Sequence, residues 1–137
     1  MAKSDAKVER LAKVPVFSGC GRKDLEAIAG VADEVTIDAG ETVITQGEHL
    51  HHAYVVEEGS ASVEINGEQA GDVSEGEILG EISMFDPAPA AATVTATSAM
   101  RLLVIRHDEF EETIRHHPEL AISMLKTMAK RFRGLPA

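Results

Sequence analysis

Gly76-Glu77-Ile78-Leu79-Gly80-Glu81-Ile82-Ser83-Met84-Phe85-Asp86-Pro87-Ala88-Pro89-Ala90-Ala91-Ala92-Thr93-Val94 is the stretch on which the fold turns. An apolar strand end at Ile78-Leu79 runs into Gly80, and a short helix-like piece follows. A glycine at such a junction lets the backbone approach a ligand closely, because no Cβ stands in the way. The amides of Glu81, Ile82 and Ser83 would then form the free end of a helical turn, and such ends attract anions. Glu81 adds a carboxylate that accepts hydrogen bonds, as from a sugar hydroxyl. The same residues also suit a capped turn that closes a β-hairpin with Glu81 in solvent. The chemistry of the stretch leaves both readings open.

The sequence around it reads as short strands between residues 34 and 105. Val35 and Ile37 alternate with polar neighbours, Thr42-Val43-Ile44-Thr45 is rich in β-branched residues, and Gly47 stops that strand. Residues 53–57 form an apolar strand closed by Gly59, and residues 62–65 alternate again before Asn66-Gly67, a strong hairpin signal. A further short strand precedes Gly71, and residues 93–96 and 102–105 supply the last two. Strands parted by glycine turns at roughly 8–12-residue intervals predict a sandwich, jelly roll or small barrel.

Helical spacing flanks this region. Val8, Leu11 and Val14 predict a helix over 6–14 that Pro15 breaks, and Val16-Phe17 follows as an apolar plug. Leu25, Ile28, Ala29 and Ala32 share one face of a second helix over 23–32. Helical spacing returns at 108–116, Pro118 interrupts it, and Leu120, Met124, Leu125, Met128 and Phe132 then form one apolar stripe, read as core packing.

The chain resembles the cyclic-nucleotide-binding domains, the family of catabolite activator protein, the regulatory subunit of cyclic-AMP-dependent kinase and cyclic-nucleotide-gated channels. Val14-Pro15-Val16-Phe17 with Leu25 and Ile28 resembles the family's entry helices. Ala39-Gly40-Glu41-Thr42-Val43-Ile44-Thr45-Gln46-Gly47-Glu48 and Tyr54-Val55-Val56-Glu57-Glu58-Gly59 resemble its early strands, while Gly80-Glu81-Ile82 and Ala91-Ala92-Thr93-Val94 frame its phosphate-binding cassette. The resemblance implies a mainly β fold with flanking helices, an eight-stranded β-roll of the jelly-roll type. It implies one domain over 1–137: N-terminal helices in 1–33, a β-roll in 34–106 with its cassette at 80–93, and C-terminal helices in 107–133. It further implies that Gly80 and the amides of Glu81, Ile82 and Ser83 face a cyclic phosphate and that Glu81 accepts the ribose 2′-hydroxyl. Ala91 and Ala92 would supply a backbone donor and a small wall, and Thr93 would lie near the purine. Cyclic AMP or cyclic GMP is the candidate ligand, with no other cofactor expected.

Two departures stand out. The family places an arginine directly before the Ala-Ala-Thr run, paired with a phosphate oxygen; here that residue is Ala90. Truncating one partner of such a charge-assisted pair costs on the order of 2–5 kcal/mol. At about 1.4 kcal/mol per decade, affinity falls roughly 30- to 3,000-fold. Many members also continue into a longer C-terminal helix that covers the base, whereas this sequence ends at Lys130-Arg131-Phe132-Arg133-Gly134-Leu135-Pro136-Ala137. Arg131 and Arg133 are read as cations that suit the last helical turn, with a swing toward the phosphate as the other reading.

The rest of the sequence narrows the function class. A net charge of -10 opposes phosphate backbones and anionic membranes at long range, so neither nucleic acid nor membrane is an expected partner. No apolar run approaches the roughly 18 residues of a membrane helix, and the polar start has no apolar leader segment. The single cysteine, Cys20, precludes an internal disulfide and fits a reducing cytoplasm. His49, His51 and His52 are close in sequence, but no histidine follows before His107, so they read as a solvated loop and no metal is expected. No nucleophile motif or phosphate loop is present, which speaks against an enzyme. Two functions remain: a sensor of a cyclic nucleotide or related small anion, or a degenerate fold that holds a protein partner or a second copy through the apolar face of 120–132.

Overall fold

The computed structural model describes residues 3–134; residues 1–2 and 135–137, at the polar start and the chain end, lie outside it. Helix α1 (Lys3–Ala12), a 3₁₀ turn (Pro15–Phe17) and α2 (Arg22–Ala29) lead into the strands. These are β1 (Ala32–Ile37), β2 (Thr42–Ile44), β3 (His49–Leu50), β4 (His52–Glu58), β5 (Ala61–Ile65), β6 (Glu68–Val73), β7 (Ile78–Leu79), β8 (Ala88–Pro89), β9 (Thr93–Ala96) and β10 (Met100–Arg106). A second 3₁₀ turn (Glu81–Met84) separates β7 from β8, and α3 (His107–His116) and α4 (Pro118–Arg133) close the fold. The mainly β class with flanking helices is as expected. The plain count of eight strands is refined: eight form two four-stranded antiparallel sheets, ordered β1-β10-β4-β7 and β2-β9-β5-β6, and β3 and β8 make a separate two-stranded ribbon.

Period-two alternation explains the layers. In β10, Leu103 and Ile105 face the helices while Met100 and Leu102 face the second sheet. In β4, Ala53 and Val55 face the helices and Val56 the second sheet. One cluster thus joins Leu11, Phe17, Ile28, Phe110, Leu120 and Met124 to the outer face of the first sheet. The other, with Ile44, Ala61, Ala90, Val94 and Leu102, fills the space between the sheets. Side chains this scarce in aromatic rings pack through aliphatic contact, at about 25 cal/mol per Å² of apolar surface removed from water.

The hairpin expected at Asn66-Gly67 is present. Asn66 and Gly67 have φ of 53° and 81°, the both-positive geometry of the type I′ turn that the strand twist favours. Gly71 is a departure: β6 runs through it to Val73, opposite a register shift between Val63 and Glu64. The apolar stripe of α4 is also divided. Leu120 and Met124 are fully buried and Met128 packs against the same cluster, but Leu125 and Phe132 are exposed at 62% and 71%. Helical spacing identified a face wider than the groove that receives it.

A buried carboxylate ties α1 to the roll. Glu57 in β4 is 3% exposed; its Oε2 lies 2.8 Å from Arg10 Nε, and Arg10 Nη1 donates to its backbone carbonyl at 3.1 Å. Its Oε1 has no hydrogen-bond partner. Burial, and then the neighbouring Glu34, push the Glu57 carboxyl above the ordinary value of 4.5, against the opposing pull of Arg10. A raised folded-state pKa means that the folded chain holds the proton more tightly than the unfolded chain. The contribution to stability is therefore full below 4.5 and is lost as pH rises through the folded value. Glu57→Gln mimics the protonated acid. Its urea midpoint is expected to match wild type near pH 4.5 and to exceed it increasingly toward pH 7.5. A variant that loses ground to wild type over that rise would show that Arg10 holds the carboxylate ionised.

Candidate functional site

The backbone at Gly80 sets the site. Its φ of 69° and ψ of 25° are left-handed, and a Cβ there would meet the His52 carbonyl and the Leu50 Cδ2, both at 2.9 Å. Only glycine joins β7 to the Glu81–Met84 turn without strain or collision. Within that turn the Ser83 amide donates to the Gly80 carbonyl at 2.9 Å. The expected set of three free amides is therefore corrected: Ser83 spends its own inside the turn, and those of Glu81 and Ile82 stand at its open end.

The loop that carries the alanines is held by the ribbon. β3 pairs with β8, the Ala90 amide donates to the Glu48 carbonyl at 2.8 Å, and the Gly47 amide donates to the Ala90 carbonyl at 2.9 Å. These bonds fold Ala88–Pro89 and the alanines after it back over the turn. A cavity of about 370 Å³ lies between them. Gly80, Glu81, Ile82, Ser83, Ala90, Ala91 and Ala92 all line it. Thr93 is not among the lining residues; its hydroxyl accepts from the Gln46 amide at 3.0 Å and fixes β9 to the end of β2.

Sequence reasoning missed the walls. Ile44, Leu50, Val63, Leu79 and Val94 make them apolar, and Asp86 adds a second carboxylate. Ile44, Val63 and Val94 come from three strands of one sheet, so alternation marks them as inward-facing but not as neighbours. No Lys, Arg or His is among the lining residues. Ala90 is 9% exposed and packs in the inter-sheet cluster.

Arg131 lies in the last turn of α4, as the sequence suggests, and it also faces the site. It does not line the cavity beneath the alanine loop. Its Nη1 lies 3.7 Å from Glu81 Oε2, too far for a hydrogen bond. Glu81 Oε2 is buried and has no hydrogen-bond partner. A groove of about 260 Å³ lined by Glu81, Ile82, Met128, Arg131 and Phe132 separates the turn from α4.

The other candidates stay apart from this cavity. The rings of His49 and His51 lie 4.5 Å apart between centroids, tilted at 54°, and no group of three or more potential metal ligands occurs among the described residues. Burial, with Asp24 nearby, pushes the Cys20 thiol up to about 11, which keeps it protonated and weakly nucleophilic at neutral pH. Among the described residues, no helix is long and apolar enough to cross a membrane.

Comparison with known proteins places this geometry among relatives. A family profile described as "Cyclic nucleotide-binding domain" matches residues 34–117. The chain is 26% identical over 133 residues to the CRP-like cAMP-activated global transcriptional regulator of Mycobacterium tuberculosis, covering 91% of this chain and 58% of that protein. It thus spans less than two thirds of that relative's length. The N-terminal domain of a transcriptional regulator from Streptomyces coelicolor superposes with a TM-score of 0.85 at 29% identity, covering 90% of this chain and 92% of that one. The regulatory domain of Toxoplasma gondii PKA, co-crystallised with cAMP, superposes with a TM-score of 0.73 at 28% identity over 81% of this chain and 44% of that one.

Proposed function

The chain belongs to the cyclic nucleotide-binding domain family, and from that premise we propose that it is a regulatory ligand-sensing module and not an enzyme, with its site in the cavity between the Glu81–Met84 turn and the alanine loop. The observation that carries the reading is the convergence of Gly80–Ser83 and Ala90–Ala92 on one cavity with apolar walls from both sides of the roll's inner core. The left-handed Gly80 and the backbone bonds at Ala90 fix both halves through the chain's own hydrogen bonds, which lowers the ordering entropy that opposes binding. Cyclic AMP and cyclic GMP are the first ligands to consider, and Ala90 makes their binding weak. A ligand hydroxyl on Glu81 would replace the long contact to Arg131. That exchange links the site to the end of α4, the element through which a signal would pass. The whole chain acts as one such domain in a reducing cytoplasm, without nucleic acid or membrane as direct partners.

A second reading has its own support. Ile122, Leu125 and Phe132 are exposed on α4 at 52%, 62% and 71%, and with the exposed Ala129 they follow the alternating three-four spacing of a helix-pairing seam. The partner-holding face once assigned to 120–132 is thereby narrowed, since Leu120 and Met124 serve the chain's own core. A second copy paired through this seam is the interaction module that remains. Isothermal titration calorimetry with cyclic AMP and cyclic GMP to millimolar concentration separates the readings. Saturable heat in the high-micromolar to millimolar range is expected of the sensor. No heat, together with a dimer mass by light scattering, would replace the sensor by the interaction module.

A further inference from the structure

We propose that the cavity selects an uncharged small molecule with an apolar body and a hydroxyl or amide donor directed at Glu81, in preference to an anion. The inference rests on reading the cavity as the ligand site and names the chemistry that site accepts. Its volume of about 370 Å³ lies at the low end of the roughly 300–1,000 Å³ of ligand pockets. Its walls are the aliphatic side chains of Ile44, Leu50, Val63, Leu79 and Val94, which reward an apolar body.

The polar groups point away from an anion. Glu81 and Asp86 line the cavity and no cationic side chain does. The Ser83 amide is already spent on Gly80, which leaves two amides of the turn against two carboxylates. The net charge of -10 acts in the same direction at longer range. A cation is not called for either. The charge of Glu81 is faced by Arg131 at 3.7 Å, so what its buried Oε2 lacks is a hydrogen-bond donor and not a counter-charge. The Glu81 side chain lines the cavity and is 28% exposed, so its carboxylate can accept a hydrogen bond from a ligand donor there. A neutral donor meets this need without desolvating a further charge in an apolar cavity.

Adenosine and cyclic AMP are a matched pair for the test, since they share base and ribose and differ in the anionic phosphate. Calorimetric titration of the whole chain is expected to give adenosine a Kd equal to or lower than that of cyclic AMP. Ala90→Arg is expected to reverse the order, lowering the Kd of cyclic AMP at least tenfold relative to that of adenosine. Cyclic AMP binding to wild type tenfold more tightly than adenosine would overturn the preference and leave the sensor reading intact. Absence of binding by both at millimolar concentration would overturn the ligand-site reading, and this inference with it. The wild-type comparison decides by itself if the variant does not fold.

Discussion

Ala90→Arg is expected to raise the affinity for cyclic AMP by at least tenfold. The position is suited to the change because its backbone is pinned on both sides, by the Glu48 carbonyl at 2.8 Å and the Gly47 amide at 2.9 Å. The side chain starts from a point on the cavity wall and can extend into that space. A guanidinium there offers two parallel donors to a phosphate in a site whose lining otherwise includes no cationic side chain. A charge pair of this kind is worth on the order of 2–5 kcal/mol, or roughly 30- to 3,000-fold. Ala90 packs in the inter-sheet cluster, and added volume in a packed core costs about 1–3 kcal/mol of folding stability, which urea unfolding reads separately from affinity. The low end of the charge-pair range, about 2 kcal/mol, already exceeds the tenfold expected of the folded variant. Ala90→Lys carries the charge without the planar fork and is expected to recover less. Calorimetry reads both variants; no gain from arginine would mean that the alanine loop does not present this position to the phosphate.

Gly59→Ala is expected to cost about 2–5 kcal/mol of folding stability, the largest loss from any single methyl group considered. Gly59 follows β4 at a φ of +95°, and a Cβ would stand 2.3 Å from the Ala99 carbonyl and 3.0 Å from the Met100 Cα. The left-handed backbone alone costs an L residue roughly 1–2 kcal/mol. The collision adds about 1–3 kcal/mol, because it is with backbone and cannot be relieved by a rotamer. Relief requires the start of β10 to move, and Met100 there is 3% exposed in the inter-sheet core. Gly40→Ala separates the two contributions, since its φ is +91° with nothing within 4 Å of the new Cβ. Urea unfolding is expected to place Gly59→Ala at least about 1 kcal/mol below Gly40→Ala. Equal losses would contradict the close approach of the two strands.

Much of the fold is legible because it is written in local chemistry. Asn66-Gly67 demands both-positive φ, and the chain has it at 53° and 81°. The β-branched and apolar run at 93–96 coincides with β9. The short turn after Gly80 was likewise legible from a glycine between an apolar strand end and a helix-like piece, while the left-handed backbone at Gly80 came from the structure. What escaped reading is what depends on distant partners. The ribbon of His49–Leu50 with Ala88–Pro89 is two residues long on each side, too short for any periodicity. Arg131 meets Glu81 across 50 positions of sequence, so helical spacing could assign it only to the end of α4. Leu125 and Leu120 look alike in composition, and only the packing of α4 against the roll makes one exposed and the other buried. At the site, the glycine and the alanines were visible, but the apolar walls from five strands and the spent Ser83 amide were not.

The central claim is that the cavity beneath the alanine loop is where this chain takes its ligand, and amide chemical-shift mapping tests it most directly. ¹⁵N-labelled protein would be titrated separately with adenosine and with cyclic AMP. The account predicts that the largest shifts fall at the amides of Gly80, Glu81, Ile82, Ser83, Ala91 and Ala92, with smaller ones at Arg131 as its contact to Glu81 is exchanged. Shifts that saturate elsewhere, with these amides unmoved, would contradict it.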